Sequence, residues 1–311
     1  MRNLIPGVVL LALLILTMPA SAADPGFPLV QSLVSFPFSV DAPRLKPGQV
    51  AAIFTLSAGN VFMVNADDSG EHDFETLEAV LALRVGISRT FTLEVCSRWS
   101  GIYGGWMDGM IEGVHDAFGL PDNRRPAYPR DRVVYSFRDA FDYRRSREVT
   151  GPLTIALSAD LARSRYLGMG GRLALQASPA GMPGLLSERP ALIAGMWLRW
   201  ERGSRAFGIS GDVAFFKTPQ WLEGIDITPR VIMTRAWVRL GWFRAGIFWR
   251  SSPYRSGDVS DAGLQILLGF RILRGIEFMI QEDLAPFHTT PDIRFGIRLR
   301  LDELARSLNL E

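Results

Sequence analysis

The stretch "DIRFGIRLRL", from Asp292 to Leu301, decides the fold because its side chains alternate strictly between two kinds. One face of a strand would carry only apolar side chains, those of Ile293, Phe295, Ile297, Leu299 and Leu301. The opposite face would carry only small or charged ones, those of Asp292, Arg294, Gly296, Arg298 and Arg300. A period of two is the mark of a strand between two different environments. The stretch therefore predicts a strand with one face toward an apolar medium.

The same alternation recurs along most of the chain. It returns in segments near 50–64, 74–87, 90–99, 131–143, 153–161, 171–178, 191–201, 205–216, 231–241, 243–251, 262–273 and 275–283. Alternating segments of about 10 residues, separated by turns, are the signature of a transmembrane barrel. We predict an all-β protein, an antiparallel transmembrane β-barrel of about 12 strands over 49–301, followed by a tail over 302–311. A soluble β-sandwich is the alternative.

The first 22 residues have the layout of a secretory signal peptide. A charged start precedes the short apolar run Val8 to Met18, and Ala20-Ser21-Ala22 supplies an A-x-A cleavage pattern. We predict a signal peptide over 1–22 and localisation in the cell outer membrane. The proline-rich segment 23–48 is expected at the periplasmic mouth of the barrel, because proline is excluded from interior strands.

Composition narrows the class of protein. The chain has 311 residues, a single cysteine, a net charge of +2 and 48% hydrophobic residues. One cysteine excludes an intramolecular disulfide, and the small net charge gives no reason to expect a nucleic-acid partner. The expected partners are the lipid bilayer with its lipopolysaccharide, the outer-membrane assembly machinery and a small solute. No cofactor is expected.

Tryptophans fall near the ends of the predicted strands. They are Trp99, Trp197, Trp200, Trp221, Trp237, Trp242 and Trp249. Transmembrane barrels place girdles of aromatic side chains at both lipid interfaces. We therefore expect these tryptophans to mark the two interfaces.

One segment, about 105–118, has helical periodicity instead. Its polar side is formed by Asp108, Glu112, His115 and Asp116. Gly105, Gly109 and Gly113 form a stripe, although each helical glycine costs about 1 kcal/mol relative to alanine. Small residues at every fourth position allow a backbone to approach another surface closely. The stripe predicts a short loop helix packed on the barrel wall or rim, either as a plug or constriction or as a rim helix that closes the loop.

Two acidic clusters are candidate cation sites. In the helix, Asp108, Glu112 and Asp116 could hold one divalent ion; Glu112 and His115 match half of a di-iron motif, but no second copy occurs. The first loop brings together Asp67, Asp68, Glu71, His72 and Asp73, and their carboxylate oxygens could take calcium, which could also bridge to lipopolysaccharide. We expect solvated acidic surfaces, and no metal, at both places.

Six arginines fall on the polar faces of predicted strands. They are Arg84, Arg98, Arg172, Arg294, Arg298 and Arg300. Acidic residues on similar faces are Glu78, Glu94, Asp160 and Asp212. Isolated arginines flanked by small residues are typical of a barrel lumen. They either line a channel or pair with one another and stiffen a filled interior.

The residues give little support to an enzyme. The three histidines are His72, His115 and His288, and none lies beside a serine on an obvious strand face. No nucleophile elbow is visible either. We therefore predict no catalytic residues, with an outer-membrane lipid-modifying enzyme as the third possibility.

Several stretches resemble one bacterial family. They are "NVF" from Asn60, "LALRVGIS" from Leu81, "GGWMDGMIEGVHDAFGLPDNRRPAYPRDRVVY" from Gly104, "SSPYRSGDV" from Ser251 and "EDLAPFHTTPDIRFGIRLRL" from Glu282. The family is catalogued as domain of unknown function 3187, a set of predicted outer-membrane β-barrels. The resemblance implies a fold and a location, and it implies no activity. The middle of the chain, 144–190, departs from the family pattern, and the chain continues past the last strand instead of ending on an aromatic residue.

The function that fits these observations best is a narrow channel or transporter for a small solute. A barrel of about 12 strands has little free lumen once side chains fill it, which makes a general porin a poorer interpretation. A structural or envelope-maintenance barrel with a filled lumen is the alternative.

Overall fold

The computed structural model describes residues 45–64, 71–105, 107–118, 131–137, 140–178, 181–183, 185–253, 263–283 and 293–307. The described strands are β1 (Val50–Val64), β2 (Glu71–Gly86), β3 (Phe91–Tyr103), β4 (Val134–Phe137), β5 (Phe141–Tyr143), β6 (Arg147–Arg163), β7 (Leu167–Ala177), β8 (Ala191–Arg202), β9 (Arg205–Phe216), β10 (Arg230–Leu240), β11 (Phe243–Arg250), β12 (Gly263–Leu273), β13 (Ile276–Asp283) and β14 (Ile293–Arg300). The helices are α1 (Asp108–Phe118) and α2 (Leu301–Ser307), with a 3₁₀ turn at Gln220–Leu222. The predicted signal segment, 1–22, lies outside the described residues. So does most of the predicted mouth segment, 23–48, of which only the residues from Leu45 onward are described.

Twelve of the described strands close into one antiparallel barrel. Each of β1–β3 and β6–β14 pairs with its neighbour, and β1 pairs with both β2 and β14, which closes the sheet on itself. The predicted fold class and strand count are therefore confirmed. The closing ladder joins Leu56 to Ile297 and Ser57 to Gly296.

The two ends of the barrel differ in their connections. At one end, two-residue turns join β8 to β9, β10 to β11 and β12 to β13. Gly203, Gly241 and Gly275 adopt φ values of 59°, 66° and 82° in these turns, a region that favours glycine. At the other end the connections are long, such as 104–146 between β3 and β6. We call these the short-turn end and the long-loop end.

The two faces of the wall carry the predicted contrast. The outer face exposes large apolar side chains, among them Leu56, Leu81, Leu83, Ile155, Leu157, Leu173, Leu175, Leu192 and Ile297. The inner face buries charged and polar ones, among them Arg84, Glu94, Arg98, Arg172, Asp212 and Arg235. Apolar-out and polar-in alternation is the pattern of a barrel whose solvent is lipid.

Three elements lie outside the barrel strands. The segment predicted as a strand near 131–143 is a short hairpin, β4–β5, whose Tyr135 pairs with His72 beyond the end of β3. The predicted helix begins at Asp108 and not at 105. Part of the predicted tail is helical, and α2 follows β14 directly, with Arg300 Nη1 2.9 Å from Glu303 Oε1.

No helix in the described part of the chain has the length and apolar character needed to cross a membrane.

Candidate functional site in the barrel lumen

Arginine and carboxylate side chains form ion pairs across the inner wall. Three carboxylates are each held between two arginines, in the groups Arg172–Asp212–Arg235, Arg98–Glu78–Arg294 and Arg244–Glu277–Arg298. We call these three groups the arginine triads. A fourth inner-wall carboxylate, Glu94, lies 3.2 Å from Arg84. Burial of charge is tolerated here because every carboxylate has a cationic partner.

The triads come from strands that are far apart in sequence. Arg294 Nη1 on β14 donates a hydrogen bond to Glu78 Oε2 on β2 at 2.9 Å. Arg172 Nε on β7 donates one to Asp212 Oδ1 on β9 at 2.7 Å, although these strands are separated by β8. Gly195 on β8 lies between them, and a Cβ at that position would clash with the Asp212 carboxylate. The missing side chain thus lets the ion pair cross the middle strand.

A cavity of about 250 Å³ lies against this network. Its lining comes only from inward-facing positions of β1, β2 and β10–β14, and its polar members are Thr55, Ser57, Glu78, Arg235, Gln281, Arg294 and Arg298. One arginine of each triad therefore faces the same space. Polar lining of this kind is compatible with water and a small polar solute.

The structure places all six predicted lumen arginines on the inner wall. Five of them form ion pairs with inner-wall carboxylates, and Arg300 pairs with Glu303 of α2 near the short-turn end. The sequence interpretation missed Arg235, Arg244 and Glu277. Arg235 and Arg244 lie in strands whose inner face also carries Trp237 and Phe248, so both faces of those strands carry large apolar side chains and the alternation is blurred. Glu277 lies on β13, where Met279 has the same effect on the inner face.

Two tryptophans predicted for the lipid interfaces lie inside the barrel instead. The Trp197 ring crosses Gly170 on β7, and the Trp237 ring crosses Gly208 on β9, where in each case a Cβ would clash with the indole. Both glycines share the inner face with buried residues of their strands. The girdle prediction is therefore wrong for Trp197 and Trp237.

An apolar cluster occupies part of the long-loop end of the lumen. Its buried members are Val61, Phe74, Ile102, Tyr135, Phe137, Phe141, Ala156, Ala174, Ala191, Ile193, Ala214, Phe216, Leu222 and Val231. We call this cluster the mouth core. Its barrel members face inward, and most lie close to the long-loop ends of β1–β3 and β7–β10.

Two inserted segments build the centre of the mouth core. The β4–β5 hairpin packs its aromatic rings together, with Tyr135 and Phe141 edge to face and 4.7 Å apart between centroids. The connection from β9 to β10 turns inward, so that Trp221 meets Phe141 edge to face at 5.9 Å. Leu222 is fully buried beside it. Trp221, which the sequence interpretation assigned to a lipid interface, thus contributes to a lumen contact.

The loop helix starts on the outer side of the wall, at the long-loop end of β14. Met107, just before α1, packs against Ile293, Phe295 and Ala58, which share the outer face of the wall with Leu56 and Ile297. Asp108 Oδ1 accepts a hydrogen bond from Asn60 Nδ2 at 3.1 Å, also on that outer side. The start of α1 is therefore anchored outside the lumen, and the position differs from that of a plug.

The glycine stripe does not make the predicted close approach. Gly109 and Gly113 are exposed, and a Cβ on either would meet no atom within 4 Å. Gly105 precedes the helix, where a Cβ would clash with the Asp108 carboxylate. Only Gly105 therefore has a steric reason to be glycine, and the explanation by close packing is wrong for the other two.

Gly109→Ala is therefore expected to stabilise α1. Alanine gains roughly 1 kcal/mol over glycine in a helix, and the open space around Gly109 imposes no steric cost. The measurement is the melting temperature, compared with that of Gly105→Ala, which should fall because of the clash with Asp108. A lower melting temperature for Gly109→Ala would contradict the placement of α1.

The predicted acidic clusters are engaged by protein groups. Asp108 Oδ2 accepts a hydrogen bond from the Asp131 backbone at 3.1 Å, while Glu71 and Asp73 bind Arg132. Burial opposes the charge on Arg132, but the hydrogen bond and charge of Asp73, helped by Glu71, outweigh it and raise the pKa of the guanidinium. Among the described residues, no three His, Cys, Asp or Glu side chains converge as metal ligands would. Asp67 and Asp68 lie outside the described residues.

The histidines give no accessible catalytic arrangement in the described part of the chain. His72 is fully buried, with its ring centroid 4.9 Å from that of Tyr135 in the hairpin. The side chain of His115 and the whole of His288 lie outside the described residues. Glu112 is partly buried and Asp116 is exposed on α1.

The sequence of this barrel matches one known family. A family model described as "Protein of unknown function (DUF3187)" matches residues 24–179, half of the chain. The chain belongs to the DUF3187 family. No curated protein matches its sequence.

Solved structures with this fold are outer-membrane barrels. The DUF3187 chain is similar to the COG4313 outer membrane channel from Pseudomonas putida F1, with 12% identity, a TM-score of 0.49, and coverage of 83% of this chain and 96% of that one. Outer membrane phospholipase A from Escherichia coli matches with 10% identity, a TM-score of 0.38 and coverage of 82% and 92%. OmpF from Salmonella typhi matches with 6% identity, a TM-score of 0.34 and coverage of 81% and 97%. At these identities the likeness concerns the outer-membrane β-barrel fold alone.

Proposed function

We propose that this DUF3187 protein is a narrow channel for a small solute in the bacterial outer membrane. The observation that carries the proposal is the polar cavity of about 250 Å³ inside the barrel. Its wall combines the hydroxyls of Thr55 and Ser57 with the charged heads of Arg294 and Arg298. A purely structural interior has no need of polar side chains that face an unfilled space.

The cavity and the mouth core occupy different sides of the lumen. The mouth core draws on β1–β10, whereas the cavity is lined by β1, β2 and β10–β14. The proposed path therefore runs along the β11–β14 side, where inward residues such as Leu267 and Gly296 leave space. Filling of the remaining lumen by side chains and by the hairpin keeps the channel narrow.

The orientation follows from the connections. Outer-membrane barrels have short periplasmic turns and longer extracellular loops. The short-turn end is accordingly assigned to the periplasm, and with it the start of β1. That the segment 23–48 lies on the same side stays a prediction. The outer face is assigned to the bilayer and the long loops to the lipopolysaccharide side. Export by a signal over 1–22 and insertion by the assembly machinery are parts of the same proposal.

A structural barrel is the second candidate. The mouth core favours it, because an apolar cluster that joins the hairpin to Trp221 closes most of one end. The triads favour it as well, since ion pairs across strands stiffen an interior. The two candidates differ in whether a solute crosses the membrane.

Solute release from vesicles tests the proposal. Purified protein is reconstituted into liposomes loaded with solutes of increasing size, and protein-free liposomes and a barrel of closed lumen serve as controls. A narrow channel is expected to release the smallest solutes and to retain larger ones. Retention of every solute at the protein-free rate would favour the structural barrel.

Trp221→Ala is expected to widen the path at the long-loop end. Removal of the indole deletes the contact with Phe141 and leaves a space in the mouth core. Release should become faster and extend to larger solutes, as the same vesicle assay would measure. Trp242→Ala, at an exposed short turn, is the matched control and should leave release unchanged. Equal release from the wild type and Trp221→Ala would contradict a role of the mouth core in restricting passage.

A further inference from the structure

The charges of the lumen are unequal in number. The three triads and the Arg84–Glu94 pair together contain seven arginines and four carboxylates. Each triad holds one carboxylate between two guanidinium groups and therefore carries one formal positive charge. Three positive charges remain on this part of the wall.

The cavity is lined by one arginine from each triad. Arg235 belongs to the Asp212 triad, Arg294 to the Glu78 triad and Arg298 to the Glu277 triad, and all three line the same space. Glu78 is the single carboxylate among the described lining residues. Because each of these arginines already binds a carboxylate on one side, its position is fixed before any solute arrives.

We propose that this cavity is a binding site for small anions that carry carboxylate or phosphate groups, and that it makes the channel anion-selective. Guanidinium groups present paired donors that match both oxyanions. A low-dielectric wall strengthens the attraction, and a lumen of net positive charge concentrates anions. The selectivity rests on the proposed channel function, whereas the binding does not.

At the short-turn end, one further carboxylate lies between two arginines. Glu201 lies 2.7 Å from Arg239 and 3.8 Å from Arg199, all three at inward positions of β8 and β10. The Glu201 side chain is 41% exposed, so this group faces the opening. An anion that leaves the cavity toward the short-turn end would meet a second wall of net positive charge.

The test compares two triple variants with the same loss of charge. The cavity variant carries Arg235→Gln, Arg294→Gln and Arg298→Gln, and the partner variant carries Arg98→Gln, Arg172→Gln and Arg244→Gln. Each removes one arginine from every triad and leaves each carboxylate with the other one. Heat-dependent gel mobility reports folding, and the single variant Arg298→Gln replaces the cavity variant if the triple does not fold.

Binding is measured first, with inorganic phosphate as the probe at constant ionic strength. Phosphate should raise the melting temperature of the wild type and of the partner variant by about 2–4 °C, because a ligand of the folded state stabilises it. The cavity variant should show no rise. An absence of any rise in the wild type, or equal rises in both variants, would overturn the site.

Selectivity is measured second, as the reversal potential in a potassium chloride gradient. A lumen potential of about one kT enriches anions and depletes cations e-fold each, which predicts a permeability ratio of roughly 7 for chloride over potassium. The cavity variant should fall to a ratio near unity, and Arg205→Gln, on the outer side of β9 opposite the exposed Leu240, should match the wild type. A cation-selective wild type would overturn the inference, whereas a wild type without conductance would overturn the channel and leave the phosphate result to decide binding.

Discussion

Asp212→Asn is expected to destabilise the barrel by about 3–5 kcal/mol, because loss of one partner leaves buried charges uncompensated. The Asp212 side chain is fully buried and holds both Arg172 and Arg235. Without its carboxylate, two guanidinium groups with side-chain exposures of 4% and 6% would face each other. The measurement is a urea titration of the protein folded in lipid vesicles.

Arg235→Gln provides the contrast from the same triad. It leaves the Arg172–Asp212 pair intact, with the 2.7 Å hydrogen bond from Arg172 Nε. We expect it to cost about 1 kcal/mol, the size of an ordinary hydrogen bond. Equal destabilisation by Asp212→Asn and Arg235→Gln would contradict the description of the group as two arginines that share one carboxylate.

Leu56→Arg should destabilise the barrel by about 2–4 kcal/mol, the range for arginine at the lipid midplane of a transmembrane barrel. Leu56 is 40% exposed on the outer face, near the middle of the β1–β14 ladder, and is paired with Ile297. The same urea titration measures the effect.

Ser57→Arg is the adjacent control. Its side chain lies on the inner face, beside the cavity, and is paired with Glu78 across the β1–β2 ladder. The polar cavity beside Ser57 gives the new guanidinium space away from lipid, so the cost should stay well below that of Leu56→Arg. A similar loss at both positions would mean that the inner and outer faces of β1 are wrongly assigned.

The barrel could be predicted because its main signal is local. In the stretch from Asp292 to Leu301, the polarity of each side chain indicates which face of the strand it occupies. This holds because side chains must alternate between apolar and polar in a strand that separates lipid from the lumen. The two-residue turns with Gly203, Gly241 and Gly275 are equally local. The family resemblance and the strand count both rest on such features.

The lumen contents could be predicted only in part. Arg172 and Arg298 stand on clearly polar faces, but Arg235 follows apolar neighbours on a strand whose inner face also carries Trp237. An inward tryptophan is possible there because Gly208 on the next strand leaves room for the ring. That pairing is not visible before the register of the strands is known.

The mouth core and the loop helix depend on still longer-range contacts. Phe141 and Trp221 are 80 positions apart and meet only after two separate connections fold into the lumen. The Gly109 and Gly113 stripe suggested close packing, yet a Cβ at either position would meet no atom of the described residues within 4 Å. Glycine spacing alone does not reveal which side of a wall a loop will take.

Single-channel recording with the purified protein in planar lipid bilayers tests the proposed channel function most directly. We expect discrete conductance steps for the wild type and larger steps for Trp221→Ala, in which the mouth core is opened. Folding is verified beforehand by heat-dependent gel mobility. If both folded proteins leave the bilayer without conductance, the lumen is not a passage and the proposed channel function is contradicted.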